Sequence, residues 1–133
     1  MTAEAARQQW KQASTAIDDL LQNWSIAEGT GGDAVPDALR TKLGTQGAAP
    51  PLFQIQKSFK ALRDSEYVND FIEFQETTEE FIGALYRADS MASSANNKTG
   101  SGKQTPPAVF IENARVEVVE MQRIAKALNS MVQ

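Results

Sequence analysis

The sequence predicts an all-α protein: a four-helix up-down bundle with one short additional helix after the first long helix. Apolar residues recur at every third or fourth position through four long segments, as they do along one side of a helix. No segment alternates apolar and polar residues in the way that is typical of strands. A chain of 133 residues that is 41% apolar also has the size and composition of one folded domain. We therefore predict a single helical-bundle domain over residues 1–133.

The first long helix is predicted over residues 2–24, with the Thr2 hydroxyl as its N-cap. Its apolar stripe comprises Ala6, Trp10, Ala13, Ile17, Leu20, Leu21 and Trp24. The glycine-rich segment 29–32 is expected to end it. Asp33 is then predicted to cap the short additional helix, which runs to Leu43 and is closed by Gly44.

Three further helices are predicted after the loop at 44–51. The second long helix covers residues 52–63, and Asp64-Ser65 is taken as the start of the third, which reaches residue 91. The core stripe predicted for the third helix consists of Phe71, Phe74, Thr78, Phe81 and Leu85, broadened by Val68, Ile72 and Ile82. Residues 93–107 are polar and predict an exposed, mobile loop, and Pro106-Pro107 favours the start of the last helix there.

The composition excludes several classes of function. The chain has no His and no Cys, which removes Cys/His zinc sites, thiolate nucleophiles and Ser-His-Asp triads. A net charge of −4 argues against binding nucleic acid. We expect no enzyme activity, no cofactor and no metal site. No segment reaches the ~20 apolar residues of a membrane span, and no signal peptide is evident, so we expect a cytosolic protein or a mature form whose targeting sequence has been removed.

Two local patterns suggest chemistry but favour simpler interpretations. The run Gly100-Ser101-Gly102-Lys103-Gln104-Thr105 resembles the end of a phosphate-binding loop, but it lacks the required earlier Gly and the Ser or Thr after the Lys. A flexible linker is the better interpretation. Four carboxylates lie close together after Phe71, which raises the question of a bundle-core metal site. They are Glu73, Glu76, Glu79 and Glu80. Such sites pair Glu with His, so a solvated acidic face is favoured.

The charge distribution identifies candidate docking residues. Between residues 40 and 63 every charge is positive: Arg40, Lys42, Lys57, Lys60 and Arg63. The next stretch, to residue 82, contains only acidic charges. Two interpretations remain open. Neighbouring helices could neutralise each other, or the cations could form a basic patch that docks onto an acidic partner surface.

Several sequence strings resemble a known family. The chain is similar to the small extrinsic lumenal subunit found on photosystem II of diatoms and related algae, a four-helix protein similar in fold to PsbQ. The matching strings are Gly31-Gly32-Asp33-Ala34-Val35, Leu43-Gly44-Thr45-Gln46-Gly47, Pro51-Leu52-Phe53-Gln54-Ile55-Gln56-Lys57, Phe71-Ile72-Glu73-Phe74, Glu79-Glu80-Phe81, Arg87-Ala88-Asp89-Ser90-Met91-Ala92 and Phe110-Ile111-Glu112-Asn113-Ala114. They are spread over most of the chain after about Gly29.

The resemblance implies a non-catalytic subunit in the chloroplast thylakoid lumen. Its partners would be the photosystem II core and the other extrinsic subunits, and it would be peripheral to the membrane and monomeric when free. It would stabilise the oxygen-evolving centre and help to retain its calcium and chloride. The five cations and the loops at 29–32 and 44–51 are then docking candidates, chosen from charge and exposure. The alternative is a helical adaptor or interaction module of an unrelated complex.

Overall fold

A computed structural model of the protein describes residues 1–29, 35–48, 51–96 and 106–133. Within these residues the fold is all-helical, with six helices and no strand. The helices are α1 (Ala3–Gln22), α2 (Ser25–Glu28), α3 (Pro36–Leu43), α4 (Ile55–Arg63), α5 (Phe71–Ala95) and α6 (Pro107–Met131). The described residues therefore confirm the all-α prediction.

The amino-terminal helix α1 follows the predicted pattern closely. The Thr2 hydroxyl accepts a hydrogen bond from the Ala5 amide at 3.1 Å, as an N-cap does. The predicted stripe is buried from Ala6 to Leu20, and Trp24, just beyond the helix, is buried as well. The helix ends at Gln22, and a turn leads into the short helix α2.

Two short helices follow α1, where the sequence predicted one. The four residues of α2 lie between the predicted end of the first helix at residue 24 and the glycine-rich segment 29–32. Helix α3 begins with Pro36 in its first turn and ends at Gly44, which is left-handed at φ 81°. The predicted closure at Gly44 is therefore confirmed. The predicted cap, Asp33, lies outside the described residues.

Helix α4 is shorter than predicted, with nine residues that begin at Ile55. Residues 51–54 form a turn in which the Ile55 amide donates to the Leu52 carbonyl at 3.2 Å. Gln54 is left-handed at φ 53°, a conformation that a right-handed helix cannot include. This residue separates the turn from the helix.

The predicted start of the third long helix at Asp64-Ser65 is wrong. Asp64 follows the last residue of α4, and α5 begins at Phe71, where the Asp70 carboxylate accepts from the Glu73 amide at 3.0 Å. Ser65 instead folds back, because its hydroxyl donates to the Leu62 carbonyl and accepts from the Tyr67 amide. At its other end α5 extends to Ala95, beyond the predicted boundary at 91.

Four aromatic rings form the centre of the core. Trp10 of α1 packs against Phe59 of α4 and Phe81 of α5, with ring centroids 5.3 and 5.4 Å apart. Phe74 meets Phe59 edge to face at 6.2 Å. The indole N–H of Trp10 also donates to Asn129 Oδ1 of α6 at 2.8 Å. One ring cluster therefore joins α1, α4 and α5, and a hydrogen bond links it to α6.

The longest helices, α5 and α6, pack along each other more extensively than any other pair. The residue after α6, Val132, pairs with Val68 in the α4–α5 connection as an isolated bridge, and the Gln133 amide donates to the Tyr67 carbonyl at 2.9 Å. The segment between α4 and α5 is therefore held in place although it is not helical.

Candidate docking surface

The five cations predicted to dock a partner lie on two helices and do not form one patch. Arg40 and Lys42 belong to α3, and Lys57, Lys60 and Arg63 belong to α4. Arg40 contacts Asp89 of α5, whereas Arg63 contacts Gln75 of the same helix. Because a helix rises about 1.5 Å per residue, these two contact points are about 20 Å apart along α5.

Arg40 is engaged within the molecule. Its Nε donates to Asp89 Oδ1 at 2.8 Å, and the Thr45 hydroxyl donates to the same carboxylate oxygen. The hydrogen bond that Arg40 donates to Asp89 raises the pKa of Arg40, which stays charged. Arg40 therefore ties α3 to α5, while Lys42, two residues further on, is exposed.

The three cations of α4 divide between two sides of the helix. Each step of three residues stops about 60° short of a full turn, so Lys57 and Arg63 differ by about 120° around the axis. Lys57 borders a hollow beside Met1, at the amino end of α1. Lys60 and Arg63 instead line a hollow between α4 and α5.

We name this second hollow the α4–α5 groove. Its volume is about 360 Å³, and it is lined by Gln56, Phe59, Lys60, Arg63, Gln75, Thr78, Glu79 and Ile82. Phe59 and Thr78 are buried in its floor, and Ile82 is partly buried. The Thr78 hydroxyl donates to the Gln75 carbonyl at 2.9 Å, so it is already satisfied and the floor offers an apolar surface.

Side chains from the two helices meet across both ends of the groove. At one end Arg63 Nη1 donates to Gln75 Oε1 at 3.5 Å, and Gln75 Nε2 donates to Glu79 at 3.4 Å. At the other end Gln56 Nε2 donates to the Tyr86 hydroxyl at 2.7 Å. From Gln75 to Tyr86 is about 16 Å along α5, or three helical turns.

The two walls of the groove carry opposite charges. On the α4 wall Arg63 forms hydrogen bonds with Asp64 at 3.0 and 3.2 Å, which raise the pKa of Arg63 and lower that of Asp64. Lys60 is exposed and forms no salt bridge with any described residue. On the α5 wall Glu79 is the charged lining residue.

The two loops predicted as docking candidates are described only in part. Residues 30–32 and 49–50 lie outside the described residues. Gly44 faces the protein, because a Cβ on it would lie 2.6 Å from the Leu52 carbonyl carbon. Gly47 and Ala48 are exposed. Among the described residues of the loop at 44–51, the exposed Gly47 and Ala48 are therefore the ones that a partner can reach.

The four glutamates of α5 are exposed, as the solvated-face interpretation expects: Glu73, Glu76, Glu79 and Glu80. No group of three or more acidic side chains with a metal-binding arrangement occurs among the described residues. The phosphate-loop-like run at 100–105 lies outside them.

The sequence interpretation missed the part of the groove that α5 contributes. Phe71 and Ile72 were assigned to the core, but they are 55% and 59% exposed, because α5 begins with them and α4 ends at Arg63. Phe71, Gln75 and Ile82 lie at i, i+4 and i+11, on one face of α5. The polar Gln75 within this apolar line is the sequence signal for a solvent-facing stripe.

Comparison of the chain with protein-family models, with curated proteins and with solved structures yields no match. The resemblance to an extrinsic photosystem II subunit therefore stays a prediction from the sequence strings. In the described part of the chain, no helix is both long and apolar enough to cross a membrane.

Proposed function

We propose that this protein is a non-catalytic subunit that docks onto a larger complex through the α4–α5 groove and the cations of its α4 wall. The observation that carries this proposal is Lys60. It is an exposed cation beside an apolar floor, and no described acidic side chain pairs with it. An apolar centre with a charged rim is the usual anatomy of a protein–protein interface.

The complex that the sequence resemblance favours is photosystem II. In this proposal the protein is an extrinsic subunit in the thylakoid lumen that contacts the core and other extrinsic subunits. It stabilises the oxygen-evolving centre and its retention of calcium and chloride, and it needs no cofactor of its own. A helical adaptor of another complex could use the same groove, and a rebinding experiment separates the two.

The proposed architecture behind this surface is an up-down four-helix bundle of α1, α4, α5 and α6. Opposite running directions are supported by the order of contacts. Trp10 and Asp18 of α1 meet Asn129 and Gln122 of α6, so the later residue of one helix meets the earlier residue of the other. Helices α4 and α5 have the same antiparallel order in the contacts that bridge the groove.

Rebinding to depleted photosystem II tests the proposal. The protein is added to particles stripped of their extrinsic subunits, with the companion subunits present, and both binding and oxygen evolution at low chloride and calcium are measured. We expect specific rebinding, restored activity and weaker binding as salt rises, because exposed charges are screened within ~10 Å at 0.1 M ionic strength. Absence of rebinding would leave the adaptor alternative.

A charge-reversal pair locates the contact. The variant Lys60→Glu/Arg63→Glu reverses the two cations of the groove wall and should lose most of the rebinding while its helicity is unchanged. The control Lys11→Glu/Lys126→Glu changes the net charge equally on α1 and α6, and should rebind like the wild type. Equal losses in both variants would mean that net charge, and not this surface, governs docking.

A further inference from the structure

The α4–α5 groove has the features of a binding site for a partner helix. Its floor of Phe59, Thr78 and Ile82 is apolar, and the one hydroxyl in it is satisfied by the Gln75 carbonyl. A ligand that covers this floor therefore gains binding free energy from the apolar surface that it buries. The free-energy cost of removing water from polar atoms is small, because the floor has few of them.

An exposed phenylalanine extends the apolar surface beyond the groove. Phe71 lies one helical turn before Gln75 and three turns before Ile82, on the same face of α5, and it is 55% exposed. Phe71 and Ile82 stand about 16 Å apart along this face of α5, with the polar Gln75 between them. A partner helix presents apolar side chains at i, i+4 and i+7 or i+11 over the same length.

The charges on the two walls determine which helix fits. Lys60 and Arg63 stand on the α4 wall, and Glu79 stands on the α5 wall, with Glu76 exposed about one turn before it. A uniformly acidic segment would be attracted by one wall and repelled by the other. A helix with carboxylates on one flank of its apolar stripe and amines on the other complements both.

We propose that the α4–α5 groove binds an amphipathic helix of a partner protein, whose acidic flank faces Lys60 and Arg63 and whose basic flank faces Glu79. This inference rests on the proposed docking function and names the chemistry of the partner. It also predicts one direction for the bound helix, because reversing a helix in the groove exchanges its two flanks.

Calorimetric titration with two designed peptides tests this. Both are stapled helices of about three to four turns with the same composition and the same leucine stripe. In the first, all glutamates lie on one flank and all lysines on the other, and in the second the charges are mixed on both flanks. We expect the segregated peptide to bind at least about tenfold more tightly than the mixed one. Equal affinities, or no binding of either peptide, would overturn the proposal.

Paired variants test the position of the bound helix. Lys60→Glu and Phe71→Ser should each weaken binding of the segregated peptide about tenfold or more. Their controls are Lys57→Glu, which changes the same type of residue beside the other hollow, and Val116→Ser, which removes a similarly exposed apolar side chain from α6. Circular dichroism checks that all four variants fold. If the controls weaken binding as much as the groove variants do, the groove is not the site.

The outcomes separate this inference from the docking function. If the protein rebinds to photosystem II particles in a Lys60-dependent manner but neither peptide binds, the helix proposal fails and the docking proposal stands. If the segregated peptide binds in the groove but the protein does not rebind to the particles, the photosystem assignment fails and the helix proposal stands. Lys60-dependent binding to vesicles of anionic lipid without peptide binding would replace the partner helix with a membrane surface.

Discussion

Gly44 is the residue at which the backbone geometry leaves least choice of side chain. It ends α3 in a left-handed conformation, and a Cβ at this position would lie 2.6 Å from the Leu52 carbonyl carbon and from the Phe53 amide nitrogen. Glycine adopts this conformation without steric cost, and it also allows two segments of backbone to approach each other. The residue therefore fixes α3 against the turn that precedes α4.

We expect Gly44→Ala to lower the free energy of unfolding by about 2 kcal/mol or more, since the left-handed conformation alone costs about 1 to 2 kcal/mol for a residue with a Cβ. Gly47→Ala is the matched control. Gly47 is also left-handed, at φ 76°, but a methyl group on its Cα would have no neighbour within 4 Å, so only the conformational cost applies. Urea unfolding of both variants measures the difference, and equal losses would remove the close approach as a cause.

The cations show how a residue-scale pattern can mislead. Lys57, Lys60 and Arg63 occur at every third position, which suggests a common face, but a helix needs 3.6 residues for a turn. The accumulated rotation places Lys57 beside another hollow. The pairing of Arg40 with Asp89 joins residues 49 positions apart in the chain, and no local pattern predicts such a contact.

At the scale of helices, periodicity and caps predicted most of the helices and several of their ends. The cap at Thr2, the end at Gly44 and the start of α6 near Pro107 follow from local backbone chemistry and agree with the structure. The start of α5 does not, because Asp64 and Asp70 are both plausible N-caps. The choice depends on Ser65, whose hydroxyl bonds to backbone groups on either side.

Replacing the two aspartates separates these capping roles. We expect Asp70→Ala to lower the free energy of unfolding by about 1 kcal/mol, because the Glu73 amide loses its acceptor in the first turn of α5. Asp64→Ala removes an exposed ion pair with Arg63 and should cost less than Asp70→Ala does. Thermal unfolding followed by circular dichroism compares them. A larger loss at Asp64 would contradict the start of α5 at Phe71.

For the whole molecule, the ionisable side chains predict a wide pH range of constant stability. The Tyr67 hydroxyl donates to Glu4 at 2.6 Å, which lowers the pKa of Glu4 from its ordinary value of 4.5 and raises that of Tyr67 from 10.0. The pKa of Glu120 is lowered by Arg123, and that of Asp64 by Arg63. With no His in the chain, no side chain has an ordinary pKa between these acidic and alkaline ranges.

The direction of each pKa shift determines how the stability of the protein depends on pH. A carboxyl with a lowered folded-state pKa stabilises the fold above its ordinary pKa, and this contribution is lost as the pH falls through the folded value. Because the pKa of Tyr67 is raised in the folded protein, the protonated hydroxyl stabilises the fold below pH 10. This stabilisation is lost as the pH rises through the folded-state pKa of Tyr67. We therefore expect a constant Tm from about pH 5 to 9, with losses on both sides.

The variant Tyr67→Phe checks this profile. It removes the contact with Glu4, so the loss of Tm below pH 4.5 and the loss above pH 10 should both become smaller. Tyr86→Phe is the control, since the Tyr86 hydroxyl bonds to Gln56 and not to a carboxylate. A Tm that changes steeply between pH 6 and 8 in the wild type would contradict the expected profile.

The aromatic ring cluster at the centre of the core contains a tryptophan whose fluorescence can report on the groove. One side of Phe59 lies in the floor of the α4–α5 groove, and its ring also packs against Trp10, with centroids 5.3 Å apart. Anything that enters the groove and shifts Phe59 therefore changes the surroundings of an indole that is 2% exposed. The emission of Trp10 registers occupancy of the groove from inside the fold, without a dye attached to the surface that is being probed.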